Sequence, residues 1–366
     1  MAPRREDPAG IFAQVASALG AADLCFGQME CPISERGTPS PHARLAMRTS
    51  PDVAPALGKA GFDVMSVAGN HALDFGADAL ADTLVNLQQA GIAAAGAGTN
   101  LAEARRPAMI EAGGKRIAVL AYSSILPAGY AADAARPGCA PLRAHTCYEQ
   151  IEHDQPGTPP RIHTFAERSD LANMEADIAA ARAEADHVFV SVHWGIHFVR
   201  ASIADYQREI ARAAIGAGAD ALFGHHPHLL KGIEFINGKP VFYSLGNFAI
   251  EQPAAFNEKI REHESFAHLQ TLSKGWQPQA KYQTPPETRH TVIAWLDMAG
   301  GGAPAVTLQA CRIDDDSVPH PILPGSADFV DWLGYVEAIT TEAGLATNYA
   351  VRSDGLVTCA PAPPAG

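Results

Sequence analysis

Gly224-His225-His226-Pro227-His228 follows the short apolar run Ala221-Leu222-Phe223. Packing gives no reason for three imidazoles within four residues of a buried strand, and imidazole is the commonest protein ligand for transition metals. Two similar signals lie upstream. Gly69-Asn70-His71 comes after the apolar stretch 62–67, and His193-Trp194-Gly195 directly after 188–192. Three apolar strands, each ending in histidine, predict one metal centre at one edge of a sheet.

The surrounding pattern supplies that sheet. Helical and strand periodicities alternate over 9–250. Helices are expected at 11–19, 51–59, 74–89, 170–185 and 203–215. Strands are expected at 23–27, 62–67, 92–95, 116–122, 187–192, 221–223 and 241–245. Ser50-Pro51-Asp52 reads as a helix start and Gly91 as a helix stop. Asn237-Gly238 is a hairpin signal joining 232–236 to 241–245, so a parallel α/β sheet acquires antiparallel members. Late strands are expected at 291–296 and 305–311. The stretch 127–160 has no clear period and reads as an insertion or lid, and 251–290 reads as irregular. One domain is expected over 9–312. A C-terminal extension, 313–366, would follow, its Pro- and Ala-rich tail from Cys359 disordered.

The chain has 366 residues, 47% of them apolar, and a formal net charge of −13. That charge argues against a nucleic-acid partner, which favours a basic face. It leaves an anionic substrate open, because a bound cation reverses the local field. The six cysteines form no Cys-x-x-Cys pair, so neither a zinc ribbon nor a dense disulfide framework is expected. No apolar run reaches the length of a membrane span. The first residues lack the apolar core of a signal peptide, and a cytoplasmic location is the expectation.

In open α/β sheets ligands bind beyond the carboxyl ends of the strands. Glu30, Asn70, His71, His193, His225, His226 and His228 all stand at such positions. Carboxylate, amide oxygen and imidazole suit Mn²⁺, Fe²⁺ or Zn²⁺, as one ion or two. With two ions roughly 4 Å apart, a carboxylate can bridge them while a water attacks.

Gly69-Asn70-His71, His193 after its apolar strand and His226-Pro227-His228 resemble the metal motifs of the calcineurin-like metallophosphoesterases. More closely, the segments 68–76, 192–195, 224–228 and Tyr243-Ser244-Leu245-Gly246-Asn247-Phe248 resemble the bacterial capsule synthesis protein CapA family, over about residues 10–250. The resemblance implies a metallophosphatase-like sandwich of mixed β-sheets flanked by helices, and a role in poly-γ-glutamate capsule synthesis. It makes Glu30, Asn70, His193, His226 and His228 metal ligands, with His71 as acid or base beside the leaving group and Asp74 orienting it. His225 would contact substrate, or only pack or hydrogen-bond. Trp194 and His197 would line the pocket or make simple surface contacts. Arg48, with Arg44, would pair an anionic group of the substrate or sit in a solvated loop. Ser244 and Asn247 could form a nucleophile pair, but with no Asp–His partner evident in the sequence they read as a structural turn.

One departure stands out. The family's first strand ends in Gly-Asp, and that aspartate binds metal. Here no apolar strand leads into Glu6 or Asp7. Either the true start lies upstream or one strand and one ligand are missing. The function implied is a metal-dependent hydrolase acting on a phosphoester or a γ-glutamyl or peptide bond. The alternatives are a metal-dependent epimerase at a peptide Cα and a non-catalytic polymer assembly factor.

Overall fold

The structure is a computed structural model and describes residues 7–250, 280–299 and 302–362, with positions 264, 271, 273 and 275–277. A 3-10 turn (Pro8–Phe12) and α1 (Ala16–Leu19) lead into β1 (Phe26–Gln28), α2 (Val53–Ala60), β2 (Val64–Ser66), α3 (Gly76–Gln89), β3 (Ala93–Ala95) and β4 (Ala97–Gly98). Next come α4 (Leu101–Ala104), β5 (Ala108–Ala112), β6 (Lys115–Ser123), β7 (Gly138–Cys139), β8 (Ala144–Glu149), β9 (Arg161–Ala166), α5 (Arg168–Glu184) and β10 (His187–His193). Then follow α6 (Asp205–Ala217), β11 (Ala221–His225), β12 (Ile233–Ile236), β13 (Lys239–Phe242), β14 (His290–Asp297), β15 (Ala305–Ile313), β16 (Pro319–Pro321), α7 (Ala327–Glu342), β17 (Thr347–Val351) and β18 (Val357–Pro361).

Among the described residues the strands form three main sheets. A parallel sheet runs β1-β2-β3, and a mixed sheet runs β12-β13-β11-β10-β6-β5. A third, antiparallel sheet runs β14-β15-β18-β17, with β16 also on β15. In the mixed sheet β6, β10, β11 and β13 are parallel, and the Asn237-Gly238 turn reverses β12 onto β13 as its signal predicts. Both turn residues have positive φ, the conformation such hairpin turns need.

Burial on both faces explains why the central strands are apolar runs rather than alternating ones. On one face Leu120, Val190, Val192 and Leu222 pack with Met174 and Ile178 of α5 and Ile210 of α6. On the other, Val119, Phe189 and Phe223 join Val64, Met65 and Leu80 of the first layer. The mixed sandwich flanked by helices is thus present.

Several elements differ from the sequence reading. The helix expected over 11–19 is split into two turns: Asp7 accepts the Ala9 N–H and starts the first at Pro8, and Ile11, Phe12, Val15 and Leu19 all reach the core without a continuous helix. Ser50 does not cap α2; its hydroxyl bonds Asp52 instead. The stretch 127–160 contains β7 and β8, and β8 forms a hairpin with β9. Its Tyr130 is buried. The 251–290 stretch lies mostly outside the described residues. Residues Cys359, Ala360 and Pro361 are not a disordered tail: they pair with β17, where Val357 and Cys359 are buried in alternation. A local Pro- and Ala-rich composition gives way there to a waiting strand edge. All six cysteines are free.

Candidate metal centre

Every strand that feeds the site is parallel to its neighbour, so the carboxyl ends gather on one side. His193 ends β10 and His225 ends β11, directly opposite each other in register. Glu30 follows β1 by two residues, and Asn70 and His71 lie in the turn after β2. His226 and His228 have φ of 97° and 58°, left-handed values that non-glycine residues adopt rarely and that cluster at functional sites. The tight reversal after β11 turns both rings toward the same side as His193.

Acceptor atoms converge there. His193 Nε2 is 2.7 Å from Asn70 Oδ1, 3.2 Å from His226 Nδ1 and 4.0 Å from Glu30 Oε1. His228 Nε2 lies 3.5 Å from Glu30 Oε1. One imidazole N–H can satisfy only one of these acceptors. Glu30 Oε1 is buried and has no hydrogen-bond partner among the described residues. A cation among them would satisfy the whole set, and Glu30, His193 and His226 each offer an atom within 4.8 Å of the others. The donor set is one carboxylate, one amide oxygen and imidazole nitrogens, which fits a borderline divalent metal. Burial pushes His226 down to about 3 and, with the neighbouring histidines, holds His193 well below the ordinary range. Both rings are therefore neutral near pH 7, as ligands must be.

Beside these atoms stands a hydrogen-bonded pair. His71 Nδ1 is 2.6 Å from Asp74 Oδ2. Asp74 is fully buried and also accepts from the Met47 N–H at 2.7 Å and the Tyr130 hydroxyl at 2.9 Å. Burial, the largest influence on His71, opposes its charge. The Asp74 hydrogen bond and the charges of Glu30 and Asp74 outweigh it, and the His71 pKa is raised. A cavity of about 2010 Å³ opens onto Glu30, Asn70, His71, His226 and His228.

The bacterial capsule synthesis protein PGA_cap family model matches residues 1–252. The chain belongs to that family. It is 31% identical to the PGA biosynthesis protein CapA of Bacillus subtilis over 66% of this chain and 57% of that protein. It is 32% identical to a "Probable polyglutamine synthesis accessory protein" of Mycobacterium tuberculosis, over 67% of this chain and 59% of that one. The capsule biosynthesis protein CapA of Bacillus anthracis is 26% identical over 66% and 54%. The chain thus spans little more than half the length of these relatives.

In this family member the structure brings Glu30, Asn70, His71, His193, His226 and His228 together. His197 joins them as a wall: its ring stacks on Phe198 at 4.0 Å and lies 4.9 Å from both His226 and His228. His225 packs its ring against Phe26 at 5.8 Å. Trp194 is set apart from the pocket. It is wholly buried on the helix side of the mixed sheet, stacked on Tyr243, with its indole N–H donating to the Tyr243 carbonyl. Strand alternation explains this, since Trp194 follows His193 and takes the opposite face. Arg48 borders the cavity, yet its guanidinium donates to the carbonyls of Glu35 and Arg36 and lies over the Phe75 ring at 4.2 Å.

Two residues escaped the sequence reading. Asn247 Oδ1 is 2.7 Å from His228 Nδ1, although its motif reads as a turn. Its position after a strand, like that of Asn70, was the available signal. Tyr130 lies in the aperiodic stretch, where no local signal marks it. Ser244 keeps the turn role, its hydroxyl accepting the Gly246 N–H.

Proposed function

We propose that the chain is a metal-dependent hydrolase acting in capsule polymer metabolism, on a phosphoester or a γ-glutamyl bond. The observation that carries this reading is the convergence of Glu30, Asn70, His193 and His226 beside the His71–Asp74 pair. Glu30, Asn70, His193, His226 and His228 would hold one or two divalent ions, with Mn²⁺, Fe²⁺ and Zn²⁺ all suited to the donors. When bound, such an ion polarises the scissile group and eases deprotonation of water.

The remaining steps belong to the chain itself. Asp74 fixes His71 through Nδ1, which leaves Nε2 of a ring that lines the cavity free to hand a proton to the leaving group. The Asp74 hydrogen bond and the nearby carboxylate charges raise the His71 pKa, which favours the proton-bearing ring. His197 and Phe198 close one wall and restrict water. The place in capsule metabolism rests on the names of the relatives.

The test is turnover of p-nitrophenyl phosphate and of γ-glutamyl peptides with added Mn²⁺, in the wild type and in His226→Ala, His228→Ala and His71→Asn. Loss in all three variants is the expected result. Equal rates in the wild type and the two ligand variants would overturn the reading.

A further inference from the structure

The family match ends at residue 252, yet a chain of buried hydrogen bonds runs into the site from beyond it. Trp332 of α7 donates its indole N–H to the Thr291 carbonyl at 2.9 Å. Thr291, in β14, donates its hydroxyl to the Asn247 carbonyl. Asn247 in turn places Oδ1 at 2.7 Å from His228 Nδ1. Trp332 is 0% exposed, Thr291 1% and Asn247 7%. None of these links has solvent to replace it.

We propose that Thr291 and Asn247 are positioning residues for His228, so that the C-terminal sheet and helix are part of the metal centre rather than an appendage. The inference rests on the reading of His228 as a ligand. A carboxamide oxygen at Nδ1 requires the proton on that nitrogen. The lone pair of His228 is then left on Nε2, the atom 3.5 Å from Glu30 Oε1. Residues that orient a ligand histidine in this way typically contribute 10- to 100-fold to metal affinity. His228 needs such support, because its φ of 58° is a left-handed conformation the side chain does not favour. Thr291 fixes the Asn247 backbone and thereby the direction of its carboxamide. A second tie from α7 reaches the segment beside His228: Glu342 pairs with Arg200, two residues beyond Phe198, whose ring stacks on His228 at 5.3 Å.

The test uses Mn²⁺ alone as the probe, titrated by calorimetry into the full chain. It is paired with ¹⁵N–¹H spectra that report the His228 tautomer in the metal-free protein. Asn247→Ala is expected to weaken Mn²⁺ binding by about 10- to 100-fold and to mix the His228 tautomers. Asn247→Asp, which keeps an acceptor at the same place, should retain the Nδ1–H form. Thr291→Val leaves the carboxamide in place and should weaken binding in the same direction by less. His228→Ala separates the two levels of argument. If it leaves Mn²⁺ affinity unchanged, His228 is not a ligand and the inference falls with that reading. If it weakens binding while Asn247→Ala and Thr291→Val bind Mn²⁺ like the wild type with an unaltered tautomer, the inference alone is overturned.

Discussion

The Tyr130 hydroxyl donates to Asp74 Oδ1 at 2.9 Å, and both side chains are buried. The other oxygen, Oδ2, is shared between His71 Nδ1 and the Met47 N–H. A residue from the aperiodic stretch therefore completes the shell around the carboxyl group that orients His71. Tyr130→Phe keeps the ring and removes this bond. It is expected to destabilise the fold by about 1.5–3 kcal/mol, the range for a hydrogen bond to a charged group, measured by urea unfolding. Unchanged stability would show that Asp74 needs only its two other donors.

Metal content should follow the acceptor cluster. Glu30→Gln keeps the shape of the side chain but removes its charge, and His193→Ala removes the atom nearest to Asn70 and His226. Each variant is expected to carry far less Mn²⁺ or Zn²⁺ than the wild type after dialysis, by elemental analysis, while circular dichroism stays native. Wild-type metal content in both would place the ion elsewhere.

Stability of the metal-free chain should rise with pH in two windows. Burial brings His225 and His226 down to about 3. As pH falls from about 6.5 toward 3, the unfolded chain takes up protons that the folded chain refuses, and stability declines. Lys231 is buried, its ammonium bonded to the Val199 carbonyl, and burial lowers its pKa to about 7. Between pH 7 and about 10.5 the unfolded chain holds a proton on this lysine that the folded chain has lost, so stability rises with pH. Lys231→Met should flatten that rise in denaturant midpoints taken at pH 7 and 9. A slope equal to that of the wild type would refute the assignment.

Gly224 opens the motif that decides the fold. A Cβ there would lie 2.3 Å from the Tyr243 carbonyl oxygen and 2.4 Å from Trp194 Nε1. Those two atoms are hydrogen-bonded to each other. Gly224→Ala forces them apart and is expected to cost about 1–3 kcal/mol or more, seen as a lowered melting temperature. A native melting point would mean that β11 and the loop after β13 can separate without loss.

Much of this was legible in the residues. Apolar runs ending in Asn-His, His-Trp-Gly and His-His-Pro-His specified parallel strands with candidate metal-binding side chains at their carboxyl ends, because strand burial and loop chemistry are local properties. Asn237-Gly238 specified its hairpin for the same reason. Tertiary structure alone decided the rest. It turned Trp194 into the helix-side core and brought Asn247 to His228. It also carried Tyr130 to the site from a stretch without periodicity, and Thr291 from an expected strand whose sequence bears no mark of the site. These last placements depend on contacts between residues far apart in the chain, and neither periodicity nor motif records which distant group will face a given side chain.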